Sequence, residues 1–389
     1  MLKAGLTSLF CVYRSHNVYV KLNHAVDNGL SSGYYRWIKV MILKGVIVKR
    51  IFWLDAARAI AIILVVFTHA HERAGIHSEM LRSFFYSIDR LGVPLFFMIS
   101  GGLILPKLAN CNLLEFYKKR IPQFVILLVV WSIITNCIKY FVEGKGFWES
   151  LTLSAVNNNG IYPSNYGGAS QMWFMYSIIQ LYLIAPFLAK LLNKASNKEI
   201  IVFLLVCILF NQFKHTATFF GGDWGALHRM GTDFTGPYLI YFIIGYLIIE
   251  RSIWYGERFR YLIIYSLITM IPIASLVLTD YLSGKVNNGL HWYSGSLFIL
   301  VSGVGLILLI KWIFVNANNK FVSYLSLYSF GIYLTHYAFI YVSQGIMSAS
   351  LPLMSDIERM MLYFSFSLSS GVVITCLMMK NKLMRYLVS

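Results

Sequence analysis

Apolar residues run along this chain in blocks of about twenty, separated by short polar segments, without the period-two alternation of a membrane β-barrel. The blocks predict ten spanning helices, over about residues 54–74, 84–105, 121–142, 171–193, 199–213, 236–250, 260–280, 292–315, 324–346 and 360–379. The fifth is the shortest, because it runs into the polar "NQFKH". The expected fold is all-α: a polytopic integral membrane protein with about ten transmembrane helices. Residues 1–50 contain no such block and no signal-peptide core, and read as an N-terminal cytoplasmic tail before a membrane domain at 51–389. Met41 opens "MILKGVIVKRIFWLD", a natural start, so the 40 residues before it are expected to be dispensable or to reflect a mis-chosen start.

The first block breaks its own pattern. "LDAARAIAIILVVFTHAHE", residues 54–72, carries Asp55, Arg58, His69 and Glu72 in an otherwise apolar run. An Asp or Arg at the centre of a spanning helix costs roughly 2.5–3.5 kcal/mol on insertion scales, so such residues face a protein interior or a watery cavity. Asp55, Arg58, Ile62, Val65, His69 and Glu72 follow three-four spacing and form one stripe. Arg58 and His69 fall about 20° apart around the axis and roughly 16 Å apart along it. Arg suits phosphate or carbonyl groups, with its permanent charge and forked donors, and His suits proton abstraction near neutral pH. Asp55 can orient the guanidinium, and Glu72 can fix the imidazole tautomer as a triad carboxylate does. The plainer alternative is an interfacial Asp55–Arg58 ion pair and a hydrogen-bonded interior histidine.

Composition agrees with the pattern: 58% of residues are hydrophobic, 13% are charged and the mean hydropathy is +0.65, against 45–50% apolar residues in soluble domains. A formal charge of +17 raises the question of nucleic acid, and its distribution answers it. With ten spans, a cytoplasmic N-terminus and residues near a span end counted with the nearer face, 23 of the 33 Lys and Arg fall inside and 9 outside, with Arg58 within a helix. That is the positive-inside bias; it predicts both termini in the cytoplasm and removes the case for nucleic acid. Cys11, Cys111, Cys137, Cys207 and Cys376 have no paired spacing, and no nucleotide or zinc motif is present, so neither a metal nor a tightly bound cofactor is expected.

Several stretches resemble the acyltransferase 3 family of bacterial integral-membrane O-acyltransferases. "LDAARAIAIILVVFTHA" resembles its first helix, marked by an Arg and a His separated by ten residues in a D-x-x-R context, here Arg58 and His69. "VPLFFMISGGLIL", residues 93–105, resembles its second-helix segment, with Gly102 where an aromatic is usual. "FYKKRIPQF", residues 116–124, is similar to the basic start of its third helix; Arg120 matches the first of two arginines and Gln123 replaces the second. "QMWFMYSIIQLYLIAPFL", residues 171–188, has Gln171 for the usual His, and "LSLYSFGIYLTHYAFI", residues 325–340, keeps a late histidine as His336. Within the family the chain resembles in look the compact inner-membrane enzymes that acetylate surface polysaccharides such as enterobacterial common antigen.

The resemblance implies an O-acetyltransferase of the bacterial cytoplasmic membrane, with acyl-CoA (usually acetyl-CoA) as co-substrate and a surface polysaccharide or lipid-linked glycan as acceptor, among membrane lipid. Lys118, Lys119 and Arg120 would meet coenzyme A phosphates at the inner mouth, and Arg58 would grip the arm deeper in. His69 would act as general base on the sugar hydroxyl. His336 would polarise the carbonyl or bind acceptor, with a structural hydrogen bond the alternative. Ser100 is an oxyanion-donor candidate, though a Ser-Gly pair also serves close helix packing. Asp55, Gln171 and Trp173 complete the expected substrate-binding set, beside the outer loops "NNNGIYPSNYGGASQMW" and "FFGGDWGALHRMGTDF". The rival reading is a transporter of lipid-linked glycans, since intramembrane Arg, His and acids also line transport paths.

Overall fold

A computed structural model describes residues 51–156, 167–222, 236–348 and 353–388, and every regular element among them is helical. The order is α1 (Phe52–Ala74), α2 (Glu79–Asp89), α3 (Gly92–Leu108), α4 (Leu113–Val142), α5 (Phe147–Val156), α6 (Trp173–Lys194) and α7 (Asn197–Ile208). There follow α8 (Lys214–Phe219), α9 (Leu239–Ile249), α10 (Phe259–Ser283), α11 (Leu297–Phe314), α12 (Lys320–Ile346), α13 (Asp356–Lys380) and α14 (Lys382–Arg385). The N-terminal tail and most of the two sugar-like outer loops, 157–166 and 223–235, lie outside the described residues.

The protein is a polytopic integral membrane protein with eight helical segments, among the described residues, long and apolar enough to cross a membrane. These are α1, α2–α3, α4, α6, α7–α8, α10, α11 and α13. The other two expected spans are helices of different character. The 27-residue α12 buries Ser326, Ser329, Thr335, His336 and Ser343, and α9 has only eleven residues, all buried.

Two boundaries differ from the expectation. The second span breaks at Arg90–Leu91 and restarts at Gly92; Pro94, which has no N–H to give, sits in the first turn of α3, where helices tolerate it. The fifth does not end at "NQFKH": α7 continues through a π-helical turn at Leu209–Phe213 into α8. That turn is buried at Asn211 and Gln212, and Asn211 Nδ2 donates to the Cys207 carbonyl (3.1 Å).

Polar contacts pin the inner helices. The buried Asp55 carboxylate accepts from Ser326 Oγ (2.8 Å) and Ser323 Oγ (3.3 Å), joining the start of α1 to α12. At the other end of α1, His71 Nε2 and Asp89 Oδ2 lie 2.6 Å apart in full burial and hold the end of α2. Four helices then face one another with matching stripes: Arg58 to His69 on α1, Val93 to Lys107 on α3, Phe174 to Tyr182 on α6 and Ser329 to Tyr337 on α12. In the most apolar window of α2–α3, 78% of residues are buried, against 28% in α10 and α13, so α3 is central and the latter two are peripheral.

The Ser-Gly segment of α3 brings two backbones together. A Cβ on Gly101 would stand 2.0 Å from the Phe242 carbonyl oxygen, and one on Gly245 of α9 would stand 1.8 Å from that of Met98. Neither obstacle is a side-chain tip that can turn away. Gly101→Ala and Gly245→Ala are each expected to lose stability by at least the roughly 1–3 kcal/mol typical of overpacking. Thermal unfolding in detergent with size-exclusion profiles checks this. Gly289→Ala, with nothing within 4 Å, should match the wild type.

Candidate active site

His69 lies in the penultimate turn of α1, on the stripe that begins at Asp55. Its Nδ1 is 2.9 Å from Glu72 Oε2, one turn on. A carboxylate only accepts, so this contact places the proton on Nδ1 and leaves Nε2 as the basic nitrogen. The second Glu72 oxygen, Oε1, accepts from Arg90 Nη2 at 2.6 Å. Arg90, only 8% exposed at the α2–α3 break, donates from Nη1 to the Tyr293 hydroxyl (3.0 Å). Its guanidinium lies 4.6 Å from the Tyr86 ring centroid, 5.3 Å from that of Trp292 and 5.4 Å from that of Tyr293. Glu72 is thus shared between a fixed cation and the imidazole.

Tyr293 lies in the loop between α10 and α11. Burial raises its phenol above the ordinary tyrosine value, against the opposing pull of Arg90, so at neutral pH it is an O–H group. Its oxygen accepts from Arg90 and its proton remains to donate. The loop is fixed by the buried His291–Asp280 contact (2.7 Å) and by Tyr241, whose hydroxyl donates to the Tyr293 carbonyl (2.8 Å).

On α12, His336 stacks against His69 with centroids 5.4 Å apart. Its Nδ1 donates to the Tyr333 carbonyl (2.7 Å), which makes the fully buried Nε2 an acceptor, and no hydrogen-bond partner reaches that atom. In this tautomer His336 cannot polarise a carbonyl, because it has no proton to offer there. It can accept from a hydroxyl.

Three cavities follow the stripes. The one around His69 is narrow, about 10 Å³, with Val65, Val93, Gln171, Trp173, Tyr293 and Tyr333 in its wall. The one around Arg58 is about 80 Å³, with Ser100, Phe124, Tyr182 and Ser329. Phe96 and Phe174 line both. A third, about 330 Å³ at the Arg58 end of the bundle, carries Lys107, Lys119 and Arg120, and Ile104 is common to it and the Arg58 cavity. Arg120 has one nitrogen, Nη1, that is buried in protein without a hydrogen-bond partner.

Among the residues singled out in the sequence, His69, Glu72, Gln171, Trp173 and His336 therefore gather at one end of α1. Arg58 and Ser100 share the middle cavity, so Ser100 stands with the guanidinium and away from the imidazole. Lys119 and Arg120 line the mouth while the exposed Lys118 is not in its wall, and Asp55 holds α12. Arg90, Tyr293, Phe96 and Phe174 were not singled out. Arg90 was visible by the rule that exposed α1, since "IDRLGVP" places a charge within an apolar block; Tyr293, in a connecting loop, gave no such signal. Among the described residues no group of three His, Cys, Asp or Glu gathers as a metal site.

Residues 51–380 match the acyltransferase domain that defines the acyltransferase 3 family. The chain belongs to that family. No curated protein and no solved structure matches it. Membership makes the chain an acyltransferase-class enzyme of the membrane, and the His69–Glu72–Arg90 assembly is the charged cluster that this acyltransferase fold holds beside its apolar core.

The shared carboxylate yields a stability prediction. Removing one partner of a buried pair costs about 3–5 kcal/mol, and partial exposure of Glu72, 28% for its side chain, places Arg90→Met at or below the lower end. Arg90→Met combined with Glu72→Gln should recover part of that loss, because no charge then stays unpaired. Unfolding midpoints of the two single variants and the double variant in one detergent check the coupling.

Proposed function

We propose that the protein transfers an acyl group, acetyl in the first place, from cytoplasmic acyl-coenzyme A to a hydroxyl of a surface polysaccharide or its lipid-linked precursor, in the bacterial cytoplasmic membrane. The observation that carries this reading is the row of three neighbouring cavities, each sharing wall residues with the next, from the Lys107–Lys119–Arg120 mouth past Arg58 to His69. From Val93 to Lys107 the lining face of α3 spans about 21 Å. A nucleotide with phosphates at one end and a thioester on a long, thin arm fits such a path. The positive-inside bias supports a cytoplasmic mouth, with both termini on that side.

In this reading the mouth binds the coenzyme A phosphates, with the Arg120 guanidinium and the ammonium groups of Lys107 and Lys119 as donors. Arg58 holds polar groups of the arm. Acceptor reaches the opposite end, where Trp173 stacks on Tyr293 (centroids 5.4 Å apart) beside the His69 cavity. His69 Nε2 takes the proton from the acceptor hydroxyl as its oxygen attacks the thioester carbonyl carbon. Glu72 stabilises the imidazolium, and Arg90 keeps the carboxylate in place. The Tyr293 O–H, its oxygen held by Arg90, donates to the developing oxyanion, the role sequence reading gave Ser100. Collapse breaks the carbon–sulfur bond, and His69 returns the proton to the thiolate. The products are the O-acyl ester and free coenzyme A, with no net proton change. His336 Nε2 accepts from a neighbouring hydroxyl of the acceptor.

Sealed vesicles of known orientation test the reading. Radiolabelled acetyl-CoA offered to the Lys119–Arg120 face should label glycan on the other face, and the label should be released by mild base. Donor offered to the opposite face should be inert. His69→Ala should lower the rate by at least about 10²–10⁴-fold while leaving the protein folded. Arg58→Lys should be nearly as impaired as Arg58→Ala, because a point charge does not replace a fork. Transfer that needs both substrates on one face, or that survives His69→Ala, contradicts the proposal.

A further inference from the structure

The sequence leaves the acyl group open, and the cavity row narrows it. This inference rests on the transferase reading above. The arm can carry its thioester from Arg58 to His69 only past Phe96 and Phe174, the two residues common to both cavities, whose ring centroids stand 6.2 Å apart. Beyond them the His69 cavity, about 10 Å³, is much narrower than the 80 Å³ beside Arg58. Val65, Val93 and Tyr333 close the rest of it, and all three are buried.

A methyl group asks least of such a space, and each further methylene presses harder on the side chains around it. The Arg58 cavity, about 80 Å³, takes a longer chain, but a chain lodged there keeps its carbonyl short of His69. Of the two rings, Phe174 is the structural one: it packs on Phe97 (4.8 Å) and on Tyr333 (5.3 Å). Phe96 is half-buried, between the buried Val93 and the half-buried Ser100 on one face of α3, and its ring contact is Phe174 alone among the described residues. We propose that Phe96, backed by Phe174, is the acyl-length selector of this enzyme, admitting an acetyl group to His69 and holding longer chains on the Arg58 side.

The test compares acetyl-, propionyl- and butyryl-CoA as donors for the full-length protein in vesicles with extracted envelope glycan, reading released coenzyme A thiol and base-labile acyl on the glycan. For the wild type, kcat/KM should fall about tenfold or more per added methylene. All three donors should compete about equally for binding of radiolabelled coenzyme A, because the selector acts beyond the mouth. Phe96→Ala should raise the butyryl-to-acetyl ratio at least about tenfold, and Phe96→Leu should give an intermediate ratio. Should Phe96→Ala fail to fold, Phe96→Leu carries the same comparison with a smaller shift. Equal use of acetyl and butyryl donors by the wild type, or an unchanged ratio in both variants, overturns the selector and leaves the transferase reading standing. Absence of transfer from every donor by the wild type overturns both.

Discussion

One carboxylate organises the His69 end of the protein. Glu72 gives one oxygen to His69 Nδ1 and the other to Arg90, and neither charge belongs in an apolar helix without the other. The contact depends on the break in the second span, where Pro94 has no N–H for the Arg90 carbonyl and the chain turns at Arg90–Leu91. The contact explains the pinning around it. His71–Asp89 holds the end of α2, and His291–Asp280 holds the loop that brings Tyr293 to Arg90. These buried pairs fix positions more than they add stability.

The row of cavities depends on the same economy of means. α1 places a cation and an imidazole on one face with apolar Ile62 and Val65 between them, and α3, α6 and α12 present faces that close the path. The Gly101–Gly245 approach is what lets α9 stand directly behind α3, so that the Phe96 and Ser100 side of α3 is left to face inward. Packing on one side of α3 thereby sets the width of the path on the other. A polar face on a central helix, backed by a backbone-to-backbone contact, makes a narrow interior in a protein whose outer helices are greasy on most of their surface.

Much of this was legible in the sequence, and the limits have physical causes. Three-four spacing located Arg58, His69 and Glu72 on one stripe, because helical geometry relates them without any knowledge of neighbours. The helices themselves, α9 and α12 included, followed from runs of apolar residues, although α9 has only eleven residues and α12 buries hydroxyls along its length. Arg90 was readable as an intramembrane charge, but its partner was not, since Glu72 and Arg90 belong to different helices. Tyr293 is decided by a loop fold that no periodicity encodes, and the place of Ser100 beside Arg58 depends on how α3 is turned. The tautomer of His336 is likewise fixed by the Tyr333 carbonyl, a contact within its own helix that spacing permits but does not require.

The central claim is that one interior path connects a phosphate-binding mouth to the His69 base. The most direct measurement is an electron cryo-microscopy structure of the protein with a non-transferable thioether analogue of acetyl-CoA. The account predicts phosphates against Lys107, Lys119 and Arg120, an arm running past Ile104, Ser100 and Phe96, and the acyl oxygen analogue within hydrogen-bond reach of the Tyr293 hydroxyl, next to His69 Nε2. An arm lying outside the α1–α3–α6–α12 interior, or an acyl end remote from His69, would contradict it.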